Sequence, residues 1–350
     1  PIPLLKTKSY QDKFFITPNI WWVVGSDDIY NEATKSANLK LSKNALIFAE
    51  EYSGLGERID ELGEAKIVLN NKTILDLAAT FIQSTSLIFP AKKLDFEPDK
   101  SGWWKREAAD LIRWREFLQI KYGIDNQDFD LGGGWAVGEG NKKLTIDNGQ
   151  LKKGDALLAR VLESTRSGEL NFHQDGQLVG RIDTKKEGNN IRWFEVGELK
   201  KGGELEIKSS GGINVVNALA VLDKSEWVSY QAKARKFEGR IINFDEKNAS
   251  DSGYPLVSYK KINPTKYIVE VNHLTHPALL VFSQNYDSLW KLNGQSALPV
   301  YSLLNGFKIE KNGQYTVEFS AQKYVFPGLI ISGLTVLTLI LLLIRSSKYR

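Results

Sequence analysis

Residues 325–344 read VFPGLIISGLTVLTLILLLI, a run of 20 residues without a charged side chain. An α-helix of about 20 residues spans the ~30 Å hydrocarbon core of a bilayer. A buried core helix is the alternative, but such helices rarely run so long without a polar face. The run therefore predicts one transmembrane helix near the carboxyl end, with the residues before it folded on one side of the membrane.

The residues that flank this run predict its orientation. Tyr324 and Phe326 are expected at one membrane interface, since aromatic side chains favour the headgroup level. The tail of residues 345–350 carries three cations, Arg345, Lys348 and Arg350. Because cytoplasmic flanks are enriched in Lys and Arg, this tail is expected at the second interface, in the cytoplasm. The residues before the helix are then extracytoplasmic, and the chain lies in the cell membrane.

The composition narrows the classes of function. The formal net charge is +4, from 46 basic and 42 acidic residues, which is too balanced to indicate nucleic-acid binding. The absence of cysteine excludes disulfides and thiolate metal sites. The sequence does not begin with Met, and residues 1–20 contain no signal peptide. We therefore expect a fragment of a longer protein whose upstream part contains the exporting segment.

Residues 1–90 are predicted to form a small α/β domain. Three apolar runs alternate with three helix-like segments, at residues 20–24, 27–36, 45–49, 56–62, 66–69 and 73–82 in turn. This β-α-β-α-β-α order is typical of a parallel sheet. No GxGxxG or GxxxxGK[ST] motif follows a strand, so the order favours a structural module over a nucleotide site.

Residues 91–135 are predicted to be a linker that contains an amphipathic helix at 103–117, WWKREAADLIRWREF. Aromatic residues stand at both of its ends. They suit packing onto a neighbouring domain, contact with a sugar or contact with the bilayer interface, and the sequence leaves these alternatives open.

Residues 136–224 are predicted to form an antiparallel β sandwich of jelly-roll type, because short strand-like segments follow one another with turns between them. Leu205 and Ile207 alternate with Glu204 and Glu206, which marks a strand with one face in water.

Residues 225–323 repeat this pattern of strands and turns. The pairs Asn293-Gly294 and Asn312-Gly313 are hairpin signals, and they predict a second, membrane-proximal β domain. The predicted fold class is therefore multidomain, α/β plus β, ending in one transmembrane helix and a cytoplasmic tail.

The carboxyl-terminal third resembles a known family. The segments YIVEVN, PALLVFSQNYDSLWKLNG, PVYSLLNGFKI and NGQYTVEFSAQKY precede the apolar helix in an order that resembles the C-terminal part of YfhO-like bacterial membrane proteins. Ser288 and Leu289 stand where the family has Pro and Gly. These large polytopic proteins are regarded as glycosyltransferases of the GT-C class, which use lipid-linked sugar donors.

Residues 152–223 are similar to carbohydrate-binding β sandwiches. This likeness rests on Gly168, Leu170 and Asp175-Gly176, and on the pattern from Trp193 to Ile207. The two resemblances imply three partners: a lipid bilayer, a glycan or lipid-linked sugar, and the upstream transmembrane region of the same protein. They imply no catalytic residue in this chain, because the family's acidic catalytic residues lie near N-terminal membrane helices that this sequence does not include.

Glycan contact is the site chemistry that the residues favour. No metal site is expected, because His273-x-x-His276 has no third ligand nearby, and no cofactor motif is present. The sequence contains no GxSxG nucleophile elbow, so it gives no indication of a serine hydrolase. Sugars stack their C–H faces on aromatic rings and hydrogen-bond their hydroxyls to polar side chains. The carbohydrate-binding candidates are Trp135, Arg160, His173, Asp175 and Trp193.

Trp193 alternates with Phe194 along one strand, so one of the two is expected in the core. A core position is thus the alternative for Trp193.

Three functions are compatible with these observations. The leading hypothesis is the extracytoplasmic part of a membrane protein in cell-envelope glycan assembly, in which the catalytic region lies upstream and the β domains position glycan. The second is a membrane-anchored glycan-binding or adhesion module without enzyme activity. The third is a tail-anchored protein whose bulk is cytoplasmic.

Overall fold

The computed structural model describes residues 12–25, 43–49, 55–63, 65–69, 73–82, 87–90, 136–146, 150–187, 190–242 and 255–347. The chain divides into two compact units, one of Ile20–Asn248 and one of Pro1–Asn19 with Ala249–Arg350. Most of the described residues belong to β-strands, and all but one of the sheets contain only antiparallel pairs.

The strands, in chain order, are β1 (Phe14–Thr17), β2 (Asn19–Val24), β3 (Asn44–Phe48), β4 (Lys66–Leu69), β5 (Leu87–Pro90), β6 (Ala136–Glu139), β7 (Lys142–Ile146), β8 (Ala156–Glu163), β9 (Glu169–Gln174), β10 (Gln177–Asp183), β11 (Asn190–Glu198), β12 (Leu205–Ser210), β13 (Ile213–Leu222), β14 (Leu256–Asn263), β15 (Lys266–Asn272), β16 (Ala278–Asn285), β17 (Trp290–Leu292), β18 (Gln295–Ser296), β19 (Leu298–Val300), β20 (Leu304–Ile309) and β21 (Gly313–Phe319). The α-helices are α1 (Ile74–Ala79), α2 (Lys224–Arg235) and α3 (Val325–Ser347), and the 3-10 helices are Gly56–Leu62, Glu238–Arg240 and Ser320–Tyr324.

Two sheets of the Ile20–Asn248 unit pack face to face as a sandwich. The open sheet has the order β10-β9-β12-β7, and the inner sheet has the order β11-β8-β13-β5, with β6 also paired to β13. Their shared core contains Leu157 and Val161 from the inner sheet, and Leu170, Phe172 and Ile207 from the open sheet. Successive side chains of a strand point to opposite faces, so alternate residues of each open-sheet strand enter this core.

The inner sheet is covered on its second face as well. All eight residues of β8 are buried, which is the burial expected of a strand packed on both sides. Helices α1 and α2 lie on this side: Asp76 accepts a hydrogen bond from the backbone N–H of Trp193 at 2.7 Å, and the indole of Trp227 donates to Glu195 at 2.9 Å. The Asp76 carboxylate therefore satisfies a backbone donor on the edge strand β11.

A small parallel sheet completes this unit, with the order β3-β2-β4. Strands β2 and β4 pair in parallel with Trp21 opposite Lys66, which confirms the parallel arrangement predicted for residues 20–24 and 66–69. Helix α1 begins at Ile74, after the N-cap residue Thr73, whose hydroxyl accepts a hydrogen bond from the N–H of Leu75 at 3.1 Å.

The unit boundaries differ from the boundaries predicted at residues 90, 135, 224 and 323. The α/β elements, the sandwich and helix α2 lie in one unit, and residues Leu87–Pro90 form a strand on β13. Strand β1 instead pairs with β16 in the other unit. Such pairings join residues far apart in sequence, so local patterns do not reveal them. The helices predicted at 27–36 and 103–117 lie outside the described residues.

The second unit is also built from two antiparallel sheets, β1-β16-β20-β19 and β14-β15-β21-β17-β18. Aromatic rings fill the space between them: Phe14 stacks on Phe282 with ring centroids 4.6 Å apart, and Phe282 meets Trp290 edge to face at 4.8 Å. The predicted hairpin at Asn293-Gly294 is confirmed, with both residues at positive φ between β17 and β18.

Helix α3 follows this unit after the short 3-10 helix Ser320–Tyr324. The stretch Ser320–Ile340 is long and apolar enough to cross a membrane, by length and composition, and none of its apolar window is buried inside the structure. Thr335 and Thr338 donate their hydroxyls to carbonyls one turn back, at 2.9 and 2.8 Å. The hydroxyls of these two residues are therefore satisfied within the helix.

The structure describes some of the residues that were predicted at the membrane interfaces. Tyr324 is exposed at the end of the 3-10 helix, with the Lys323 ammonium 4.9 Å from its ring centroid. Phe326 and Arg345 belong to α3, and Lys348 and Arg350 lie outside the described residues.

Asn214 holds one end of the sandwich together. Its side-chain oxygen accepts hydrogen bonds from the Gly168 N–H at 3.1 Å and from the Thr184 hydroxyl at 2.6 Å. Its side-chain amide donates to the Ser209 hydroxyl and to the backbone carbonyls of the β12–β13 turn, Ser210 and Gly211. The side chain is fully buried. One residue of β13 thus makes hydrogen bonds to several loops, and those to Thr184 and Ser209 are buried.

Replacing Asn214 is expected to destabilise the Ile20–Asn248 unit strongly. Asn214→Ala removes five hydrogen bonds, two of them buried, so we expect a loss of roughly 2–4 kcal/mol in the free energy of unfolding. Chemical denaturation of the full chain in detergent, followed by tryptophan fluorescence, measures this loss. The control is Asn171→Ala, which removes one partly exposed hydrogen bond to Glu169; equal effects of the two variants would contradict the role of Asn214.

A close approach between β10 and β11 gives a second stability prediction. Both strands contain an irregularity at this point, and a Cβ built on Gly180 would overlap the backbone carbonyl of Val196. Gly180→Ala is expected to cost about 1–3 kcal/mol of stability because the backbone must shift. Gly239→Ala is the control, since a Cβ there meets no atom within 4 Å. The same denaturation experiment checks the pair, and an unchanged midpoint for Gly180→Ala would refute the steric argument.

Candidate functional site

The candidate site lies on the outward face of the open sheet. Alternation sends Leu170 and Phe172 of β9 into the core, and it sends the residues between them towards solvent. The strand register places the outward residues of neighbouring strands side by side. We call this surface the polar sheet face, and its residues are Lys143, Thr145, Glu169, Asn171, His173, Leu178, Arg181, Glu206 and Lys208.

Ion pairs organise the charges of the polar sheet face. Glu206 forms ion pairs with Lys143 and with Lys208, the latter at 2.8 Å. The hydrogen bond from Lys143, followed by that from Lys208, lowers the pKa of the Glu206 carboxyl below its usual value. Glu206 is therefore an ionised hydrogen-bond acceptor at neutral pH, held in place by two cations.

A second acidic group, Glu169, lies on the neighbouring strand, four residues from the position opposite Glu206. The Glu169 carboxylate accepts from the Asn171 amide at 2.6 Å and lies 3.4 Å from the Arg181 guanidinium. Positive and negative groups thus alternate across the face, so it presents donors and acceptors without a strong excess of either charge.

His173 is at the centre of this face. The register places it opposite Glu206 on one side and Leu178 on the other, and directly opposed residues have Cβ atoms about 4.5–5.5 Å apart. Its Nδ1 atom is buried and has no hydrogen-bond partner among the described residues. Leu178 is 54% exposed. Together they form a small apolar surface with polar groups around it.

The structure separates the residues that the sequence suggested for glycan contact. His173 lies on the polar sheet face. Asp175 lies at the β9–β10 turn, at positive φ, exposed and 3.4 Å from the Lys201 ammonium. Trp135 lies outside the described residues.

Arg160 and Trp193 require a correction. They face each other in the inner sheet, but only 5% and 2% of their surfaces are exposed. Arg160 donates to Asn217 at 3.1 Å, and helix α1 covers the backbone of Trp193 through Asp76. Both side chains lie on the face of the inner sheet that packs towards the helices. They are core residues, and stacking of a sugar on Trp193 is excluded in this arrangement.

The sequence reasoning missed Leu178, Asn171 and Glu206 as site residues. The signal was present for Glu206, because its alternation with Leu205 and Ile207 already marked a wet face. Leu178 had no local signal, since only the register with β9 shows that it lies beside His173. Within the described part of the chain, no group of three or more His, Cys, Asp or Glu residues could hold a metal ion.

Comparisons with known proteins show no family for this chain. No protein-family model matches the sequence, and no curated protein matches it. Among solved structures, the chain is similar to the CBM36-1 domain of a multidomain xylanase from the hindgut metagenome of Trinervitermes trinervoides. The identity is 11% and the TM-score 0.25, over 39% of this chain and 97% of that one.

Two further structures match at similar levels. One is the BiXyn10A CBM1 structure, at 13% identity and TM-score 0.19, covering 24% of this chain and 63% of that one. The other is a cycloisomaltooligosaccharide glucanotransferase from Paenibacillus sp., at 10% identity and TM-score 0.23, covering 86% of this chain and 55% of that one. TM-scores of this size carry no argument about the function of this chain.

Proposed function

We propose that this chain is a membrane-anchored glycan-binding module, and that the polar sheet face contacts the glycan. The observation that carries the proposal is the placement of His173 on the polar sheet face, between exposed Leu178 and ionised Glu206. A ligand on this face meets an apolar side chain and a charged hydrogen-bond acceptor at adjacent strand positions.

The chemistry of the face suits a pyranose ring. A pyranose has apolar C–H patches and a rim of hydroxyls that both donate and accept hydrogen bonds. Leu178 and the imidazole of His173 offer an apolar contact, and Asn171 with Glu206 offers a donor and acceptors on the neighbouring positions. The ion pairs hold Glu206 in position, so ligand binding costs little side-chain conformational entropy at this residue.

Helix α3 supports anchoring in a membrane. Its length and composition suit one crossing, and the cations at residues 345–350 favour a cytoplasmic tail by the positive-inside rule. Both units then lie on the extracytoplasmic side of the cell membrane.

The resemblance to YfhO-like proteins extends this proposal. The segments that carry it correspond to strands β15, β16, β17, β20 and β21, followed by α3. In that extended form the chain positions a glycan for a GT-C glycosyltransferase whose catalytic membrane region lies upstream. Sequencing the gene upstream of residue 1 tests the extension: further membrane helices would support it, and a signal peptide alone would contradict it.

Glycan binding is expected to depend on the centre of the polar sheet face. A glycan array of cell-envelope oligosaccharides, probed with the full chain in detergent, identifies a ligand for titration calorimetry. We expect His173→Ala and Leu178→Ala each to weaken binding of that ligand by about tenfold, the equivalent of ~1.4 kcal/mol.

The matched control is Val228→Ala, because Val228 is an exposed aliphatic residue of α2 in the same unit. It is expected to bind like the unaltered chain. The proposal is wrong if the array shows no binding, or if the two face variants bind as tightly as Val228→Ala.

A further inference from the structure

Three loops of the second unit meet at the point where the chain leaves for helix α3. The backbone N–H of Phe319, the last residue of β21, donates to the Thr265 carbonyl in the β14–β15 turn at 2.9 Å. The next N–H, of Ser320, donates to the Leu289 carbonyl in the β16–β17 loop at 2.8 Å, and the N–H of Tyr286 in that loop donates to Leu303 at 2.7 Å. Backbone hydrogen bonds thus join all three loops to the start of the helix segment.

Each loop carries an exposed aliphatic side chain or directly adjoins one. These residues are Ile262 beside the β14–β15 turn, Leu289 in the β16–β17 loop and Leu303 in the β19–β20 turn. Leu303 is the most exposed, at 67%. We call these three residues the membrane-proximal rim. Large aliphatic groups grouped at one end of a domain mark an interaction surface more often than scattered ones do.

The turn that presents Leu303 has an unfavourable backbone. Tyr301 and Ser302 both adopt positive φ, at 53° and 62°, and the Leu303 N–H closes the turn on the Val300 carbonyl at 3.2 Å. Two consecutive positive φ values define the type I′ turn, which favours Asn and Gly rather than Tyr and Ser. The chain therefore accepts strain at a turn whose tip exposes a leucine to water.

We propose that the membrane-proximal rim inserts into the interfacial layer of the bilayer that α3 crosses. The inference rests on the membrane anchoring in the proposed function and is independent of the glycan site. Only the five residues Ser320–Tyr324 separate β21 from α3, and a 3-10 helix of that length rises about 10 Å. A 3-10 helix inclined to the bilayer normal therefore keeps the rim within the headgroup region, which is about 5–8 Å thick on each side. Lys261 and Lys323 are exposed at the same end and suit anionic headgroups.

Single-cysteine labelling tests this proposal, because the sequence contains no native cysteine. The variants are Leu289→Cys, Leu303→Cys, Thr335→Cys in the middle of α3, and Leu256→Cys as the control. Leu256 is an exposed leucine at the opposite end of the same unit: it pairs with Asn272, and the adjacent Val271 pairs with Gly313 at the start of β21. The six residue steps from Gly313 to Phe319, at about 3.3 Å each, place it about 20 Å from the rim.

Each variant of the full chain receives an environment-sensitive fluorophore and is reconstituted into vesicles of phosphatidylcholine and phosphatidylglycerol that contain spin-labelled lipid. We expect strong quenching at Thr335→Cys, and several-fold stronger quenching at Leu289→Cys and Leu303→Cys than at Leu256→Cys. Unchanged tryptophan emission in each variant checks that the unit stays folded.

The outcomes separate the two proposals. Quenching at Thr335→Cys with rim labels no more quenched than Leu256→Cys overturns rim insertion and leaves the anchoring intact. Absence of quenching at Thr335→Cys overturns the anchoring itself, and the rim proposal with it.

Discussion

Burial of the inner sheet on both faces determines where a ligand can reach the Ile20–Asn248 unit. Strand β8 has no exposed residue, and β13 is buried along nearly its whole length. One face of this sheet forms the sandwich core with the open sheet, and the other face packs towards α1 and α2. Burying apolar area on both sides stabilises the sheet, at about 25 cal/mol per Å² of apolar surface removed from water. The solvent-facing surface of the sandwich then belongs to the open sheet.

This constraint explains why polar groups behave differently on the two sheets. Inside, each polar side chain needs a dedicated partner, and Arg160 with Asn217 and Asp76 with the Trp193 N–H provide examples. On the open sheet, Glu206 and Glu169 are paired with cations but stay in contact with water. Polar groups that are ordered and still accessible are suited to binding, whereas those of the inner sheet are suited to holding the fold.

The local patterns of the sequence predicted the individual strands and helices better than they predicted which of these elements pair or pack together. The strands of the sandwich, the parallel pairing of β2 with β4 and the apolar helix all follow from periodicity and turn chemistry. Arg160 was misplaced because it was chosen as a polar partner for sugar hydroxyls, although it lies within the apolar run ALLARVLE, a pattern typical of a strand buried on both faces. The partnership of His173 with Leu178 depends on register across a hairpin that contains an irregularity, which no local pattern encodes.

Hydroxyl-radical footprinting of the full chain tests the two-sided burial most directly, since it reports the solvent access of individual side chains. The account predicts rapid oxidation of Leu178 and His173, and strong protection of Trp193 and Trp227 relative to the denatured chain. Indole is intrinsically more reactive than a leucine side chain, so its protection is informative. Oxidation of Trp193 as fast as that of His173 would show that the inner sheet is open to solvent, and would contradict the assignment of the site to the open sheet.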